Sequence, residues 1–305
     1  MFNYSISKRK PTKRQVNEWF WGWFFIAPTI VGLIILNLIP IIQTMYLSFF
    51  RTGAFGRGNV FIGFDNYVRL FNDAQVWRAT ANTLLYTGLV IPISISISLV
   101  IAVLLNEKIF ARTTYRTIYF IPMIAAPAAV TMVWKWLYNR EFGLLNYLMD
   151  WLGLGRVDWI NNPNVALISI VIIGIWSIIG YNVVLMLAGL QEIPKDYYEA
   201  SVIDGAGPVS KFFHITIPLL SPTLFFITVT TIIQSMQVFD FIYMMIDVAS
   251  PAYDNTVSLV YLFYNNSFKY GERGYGSAIV MLLLAIIMII TVLQMKAQKK
   301  WVNYR

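Results

Sequence analysis

The chain has 305 residues, of which 58% are hydrophobic and only 12% charged, with a mean hydropathy of +0.62, whereas an ordinary soluble domain is about 25% charged. Its 23 Lys and Arg against 15 Asp and Glu leave a formal charge of +8, and it carries one histidine and no cysteine. This composition excludes a soluble enzyme, a disordered tail and a disulfide scaffold; so lipophilic a chain offers no extended basic face for nucleic acid, and without thiols it has no thiolate metal centre and no thiol nucleophile.

A hydrocarbon core about 30 Å thick needs about 20 apolar residues in a helix. Stretches free of Asp, Glu, Lys and Arg run Trp19 to Phe50, Ala79 to Asn106, Thr117 to Trp134, Trp159 to Gln191, Phe212 to Phe239 and Gly274 to Met295, which predicts an all-α membrane protein of six spans. The stretch from Asn255 to Phe268 is short and broken by Asn265 and Asn266, so it is expected on the outer surface or at the interface. Residues 1–18 are expected as a tail rather than a secretion signal, because the apolar run that follows is too long for one. Trp19, Trp21 and Trp23 sit where the chain meets the bilayer and read as an aromatic anchor in membrane lipid. Pro28, Pro40, Pro92, Pro122, Pro127, Pro218 and Pro222 lie in or beside the spans and predict kinks.

Even parity places both termini on one side, and the basic residues choose it. Lys8, Arg9, Lys10, Lys13, Arg14, Lys108, Arg112, Arg116, Lys195, Lys211, Lys296, Lys299, Lys300 and Arg305 crowd one face. The longer connections opposite hold Arg51, Arg57, Arg69, Arg78, Arg140, Arg156, Lys269 and Arg273. Both termini are therefore expected in the cytoplasm, with a tail at 1–18, a six-span domain at 19–295 and a second tail at 296–305.

The chemistry of catalysis is missing. His214 stands alone at the start of the fifth span, with no second histidine to build a metal site. There is no G-x-x-x-x-G-K-[ST] phosphate cradle. No metal and no cofactor are expected in this chain, and if ATP drives transport, another chain must hydrolyse it.

The connection at 191–215 is the most informative. Pro194 suits a helix start, Asp196 complements the dipole of the first turn, and Gly205 ends a helix over 195–204. Gly207 and Pro208 restart a second short helix, giving a surface elbow. Tyr198 and Val202 are four residues apart and are expected to share a face. Ala200, Ser201, Gly205 and Ala206 are small enough to admit another backbone, and Glu199 and Asp204 rim the edge with carboxylates. Physics leaves two readings open: docking in a partner's groove, or lying on lipid headgroups.

The ordered run Glu199-Ala200-Ser201-x-x-Asp204-Gly205-Ala206, followed by Phe213, Ile217, Pro218 and Pro222, resembles the EAA signature of permease subunits of binding-protein-dependent ABC importers. Ser201 stands where a second alanine is usual. Phe61 to Asp73, Asn82-Thr83, Phe120-Ile-Pro-Met, Val238-Phe-Asp-Phe-Ile-Tyr and Tyr275-Gly-Ser-Ala are similar to the carbohydrate-type subclass, of the maltose and multiple-sugar kind. The resemblance covers the chain from about residue 20. It implies a type I (MetI-like) importer bundle in the bacterial plasma (inner) membrane, paired with a sister permease, two ATP-binding cassette subunits that bind ATP and Mg²⁺, and an extracytoplasmic solute-binding protein. Tyr198, Glu199, Ala200, Ser201, Asp204, Gly205, Ala206 and Gly207 would then form the ATPase-coupling elbow.

For the solute path, polar groups at bilayer depth are the pointers. Asp240, with Gln234, Ser235 and Gln237 just before it, Val238 beside it, and Tyr181 and Asn182 in the fourth span, a turn after Trp176 and Ser177, give the mixture of planar hydrogen-bonding groups and aromatic faces that suits a sugar. These residues also admit a simpler role, as hydrogen bonds between helices, with Asp240 paired to Lys135 at the outer mouth. The resemblance also leaves open that the solute is held on the sister permease alone. The alternative function, an ion-coupled secondary transporter, would need a relay of intramembrane carboxylates, for which Asp240 alone is thin support.

Overall fold

The computed structural model describes residues 12–52, 58–107 and 112–302, and not the side chains of Arg112, Thr113 and Arg116. Lys8, Arg9, Lys10, Arg57, Lys108 and Arg305, used above to choose sidedness, lie outside the described residues.

The chain opens with α1 (Lys13–Leu33), where Thr12 accepts from the Gln15 backbone and the Gln15 side chain returns the bond. A π-helical turn over Ile34–Leu38 leads into α2 (Ile39–Leu47). Neither helix has a buried residue, and α2 packs against the last helix. Two short strands, β1 (Phe50–Arg51) and β2 (Val60–Phe61), pair antiparallel with Phe50 opposite Phe61. Then follow α3 (Asp65–Asn72) and the long α4 (Ala74–Asn106), capped by Asp73 on the Gln75 backbone.

The third predicted span is broken. α5 (Arg112–Ile124) and α6 (Pro127–Leu137) meet at 106°. Pro127 has no N–H to continue the ladder and forces Ala126 into extended backbone, φ −60° and ψ 134°. After α7 (Leu144–Trp151), whose partner loop is clamped by Asn146, comes α8 (Ala166–Gln191). This helix is the axis of the bundle, packed against α4, α5 and the fifth span. Its Gly180 lies so close to the Tyr119 carbonyl of α5 that a Cβ has no room.

The elbow is α9 (Lys195–Ile203) and α10 (Pro208–Lys211). A second π-helical turn, Phe212–Thr216, leads into α11 (Ile217–Met236). Both π turns end two residues before a proline, Pro40 and Pro218. In an α-helix the proline ring collides with the carbonyl four residues back. Here that carbonyl belongs to the widened turn, which removes the collision without ending the span. α12 (Asp240–Met245), α13 (Leu259–Tyr264) with a π turn over Asn265–Lys269, and α14 (Arg273–Trp301) complete the chain.

Among the described residues five helices are long and apolar enough to cross a membrane, and six with the bent pair taken as one span, as the sequence predicts. The short 255–268 stretch is not among the helices long enough to span, and it packs inward: Leu259, Tyr261, Leu262 and Asn265 are buried against α4 and α14. Several of its polar groups find partners inside the fold, although Asn265 Oδ1 and Ser267 Oγ are buried without one. Leu259 donates its backbone N–H to Thr83 Oγ1, Ser258 Oγ donates to the Val238 carbonyl, and Asn265 Nδ2 donates to the Tyr253 hydroxyl.

Candidate functional site

Local chemistry builds the elbow. Ile193 is buried in the core that α4, α8 and α11 share, and Pro194 starts α9. The helix closes with two nested bonds, Ala206 N to the Ser201 carbonyl at 2.9 Å and Gly205 N to the Val202 carbonyl at 3.1 Å, around Gly205 at φ +73°. This is a Schellman stop, and it requires the left-handed conformation that glycine adopts without strain. Gly207 then caps α10 with Pro208 in its first turn.

The elbow's two faces separate the residues the sequence grouped. Tyr198, half-buried, differs from Val202 in what covers it. It turns inward against the core beneath, with its hydroxyl 3.1 Å from Thr216 Oγ1, and Ser201 is buried and donates to the Tyr198 carbonyl at 2.6 Å. Residues four apart are offset by about 40° on a helix, and the Tyr198 ring reaches back toward the bundle, so one side chain is covered and the other is not. Val202 is 62% exposed and Ile203 87%. Tyr197, Val209 and Phe213 are also exposed, as are Glu199, Ala200, Asp204 and Gly207. Ala206 is half-buried. Tyr198 and Ser201 thus support the elbow from within, while an apolar knob rimmed by Glu199 and Asp204 points away from the fold.

A full span separates the elbow from a cavity of about 410 Å³. Tyr181, Gln234, Ser235, Val238 and Asp240 all line it. Asn182 does not: it is fully buried, and Thr231 Oγ1 donates to its Oδ1 across α8 and α11 at 3.5 Å. Consecutive helical residues are about 100° apart, so Tyr181 and Asn182 cannot both face the space. Among the described residues no ion pair joins Asp240 to Lys135, which lines a separate depression beside Glu141 and Asp158.

The cavity lies between two helix breaks. α11 stops at Met236, residues 237–239 leave the helical path, and α12 restarts at Asp240. On the other wall stand Pro122, Ala125 and Pro127 at the α5–α6 bend. Irregular backbone at membrane depth is tolerated where protein buries it or a cavity receives it. Ser177 contributes a buried Oγ with no hydrogen-bond partner, and Tyr86 of α4 completes the lining. Tyr86 is a lining residue that the reading of the sequence does not single out. Among the described residues no group of three His, Asp or Glu side chains comes together as a metal site would need.

A bundle of apolar helices with a cavity carrying a few polar groups between broken spans, and an outward apolar knob on the elbow, has the build of a multi-pass permease. Comparison with known proteins agrees. Residues 76–303 match the family described as binding-protein-dependent transport system inner membrane component, and the chain belongs to that family. The trehalose/maltose transport system permease protein MalF of Thermococcus litoralis is 30% identical over 275 residues, covering 90% of this chain and 92% of its own. The lactose transport system permease protein LacF of Rhizobium radiobacter is 30% identical over 285 residues, covering 92% and 94%. A chain from the crystal structure of a bacterial alginate ABC transporter, solved in complex with an alginate pentasaccharide-bound periplasmic protein, superposes with a TM-score of 0.82 at 21% identity, covering 94% of this chain and 96% of that chain. The fold is that of a type I importer permease, and the protein is a multi-pass component of the inner membrane.

Proposed function

We propose that this chain is the translocating subunit of an ATP-driven importer for a sugar or oligosaccharide. In this reading it pairs with a sister permease and receives solute from an extracytoplasmic binding protein. Two ATPase subunits bind ATP and Mg²⁺, and both termini of this chain face the cytoplasm beside them. The observation that carries the reading is the elbow: Val202 and Ile203 stand exposed at the tip of a helix whose inner face is tied down through Tyr198 and Ser201.

The mechanism follows from that attachment. A cleft on an ATPase subunit closes over the knob, with Glu199 and Asp204 making polar contacts at its rim. When ATP draws the two ATPase subunits together, the elbow moves as a rigid piece, because the Schellman stop and the Tyr198–Thr216 contact bind it to the start of α11. That displacement travels along α11 to the break at 237–239 and changes access to the cavity. The relatives' trehalose/maltose and lactose names and the cavity's mixture of Tyr181, Gln234, Ser235 and Asp240 support a polyhydroxylated solute. The test is uptake into proteoliposomes. The importer reading requires both internal ATP and the external binding protein; uptake driven by an ion gradient alone would overturn it.

A further inference from the structure

Phe239 belongs to two features at once. Its ring lines the cavity, and it also stacks on Tyr243 with centroids 5.0 Å apart and 21° between planes. Beyond it Tyr264 lies 5.2 Å from Phe239 and 5.1 Å from Tyr243, and the two tyrosine hydroxyls are 3.5 Å apart. Lys269 Nζ sits 5.3 Å from the Tyr243 ring centre and 5.9 Å from that of Tyr264. The π turn over Asn265–Lys269 makes this possible, since a wider turn brings residues five apart, Tyr264 and Lys269, into line.

This aromatic ledge is exposed on the chain. Tyr243 is 37% exposed, and Lys269, Gln237 and Asp240 are exposed around it. Among the described residues no carboxylate is in ion-pair contact with Lys269, and an unpaired ammonium is too costly to leave in hydrocarbon. The ammonium lies near the outer limit of a cation–π contact. That distance leaves its N–H donors free to meet hydroxyl groups, and the tyrosine rings free to take a C–H face against their negative π-clouds.

We propose that Phe239, Tyr243, Tyr264 and Lys269 form a second sugar subsite continuous with the cavity, so that the solute is an oligosaccharide longer than the cavity holds. The inference rests on the sugar-importer reading. A cavity of about 410 Å³ is at the small end of the range that encloses a drug-sized ligand, which is room for a disaccharide. Further rings of the chain lie on the ledge, with C–H faces on Tyr243 and Tyr264 and hydroxyls toward Lys269.

The test is ATP-driven uptake by the whole transporter with its binding protein, using arabinose, glucose, maltose, maltotriose, maltotetraose and arabinotriose. The binding protein is unchanged between variants, so the variant-to-parent ratio of kcat/KM for each sugar reports the permease alone. Tyr243→Ala/Tyr264→Ala is expected to lower that ratio about tenfold for three- and four-ring sugars, the scale of one lost stacking contact. Mono- and disaccharides should stay within about twofold. Tyr243→Phe/Tyr264→Phe keeps the rings and should keep the length preference. Equal ratios at all lengths overturn the subsite, whether unchanged, as for rings that only meet lipid, or uniformly lowered, as for rings that only support the cavity. A parent that carries monosaccharides only overturns the subsite and leaves the sugar reading standing; a parent that carries none of these sugars overturns both.

Discussion

If the knob on the elbow enters a partner's cleft, trimming it must weaken assembly without weakening the fold. Val202→Ala/Ile203→Ala removes two carbons from one side chain and three from the other. Each buried methylene contributes about 0.8 kcal/mol. Weighting by the exposed fractions, 62% for Val202 and 87% for Ile203, gives about 3 kcal/mol of docking energy, roughly a hundredfold in affinity. The same exposure limits the effect on the isolated chain to within about 0.5 kcal/mol, as for other surface substitutions. Two assays separate these effects: affinity of the detergent-solubilised permease for its ATPase subunit, and thermal unfolding of the permease alone. The expected result is weakened assembly and lost uptake with an unchanged melting temperature. Assembly at parental affinity would show that the knob faces lipid or water, and a large drop in melting temperature would show that Val202 and Ile203 belong to the fold.

The Schellman stop gives a second expectation. Gly205→Val places a β-branched residue at φ +73°, where the backbone alone costs about 1–2 kcal/mol; uptake should fall while membrane insertion is retained, and Gly205→Asn, which tolerates this region, should restore part of it. Gly180→Ala pushes a methyl into the Tyr119 carbonyl, backbone against backbone with nothing flexible to yield. It should cost about 1–3 kcal/mol by overpacking, read as a lower melting temperature. Tyr253, in the connection between the fifth and sixth spans, is pushed up to about 12 by burial, against the opposing bond from Asn265. Its neutral form is favoured in the folded state, so its contribution to stability is complete below pH 10 and is lost as pH rises through about 12. The gap in melting temperature between the parent and Tyr253→Phe should therefore close over that window; a gap independent of pH would refute the assignment.

The spans were legible because solvation in hydrocarbon writes itself into composition: a run of about 20 residues without a charge belongs in a bilayer far more readily than in water. The elbow was legible on different grounds. Pro194, Gly205, Gly207 and Pro208 act on the backbone within one or two residues, so the predicted helix ends fall within a residue of α9 and α10. Proline further along shows where this local logic stops. Pro28, Pro92, Pro122 and Pro222 all sit inside continuous helices, Pro40 and Pro218 are absorbed by π turns, and Pro127 alone among these accompanies a 106° break. Nothing beside each proline distinguishes these outcomes. The difference lies in what neighbouring elements do with the freed backbone, and at Pro127 a cavity receives it.

The same boundary divides the site residues. Polarity marked Tyr181 and Asn182 equally, but only packing decides that one faces the cavity and the other bridges to Thr231. Tyr198 and Val202 have the right spacing to share a face, yet Thr216, eighteen residues on, claims one of them. Asn265 and Asn266 break the 255–268 stretch as a span, and the fold supplies acceptors for their amide nitrogens in the Tyr253 hydroxyl and the Leu262 carbonyl, both within the same connection. In each case the sequence names groups that must be satisfied, and the fold determines by what. For a permease the distinction has a functional edge. A polar group whose partner is another helix holds the bundle in one arrangement, whereas one left facing a cavity, as Ser177 Oγ is, remains free to bind what passes through.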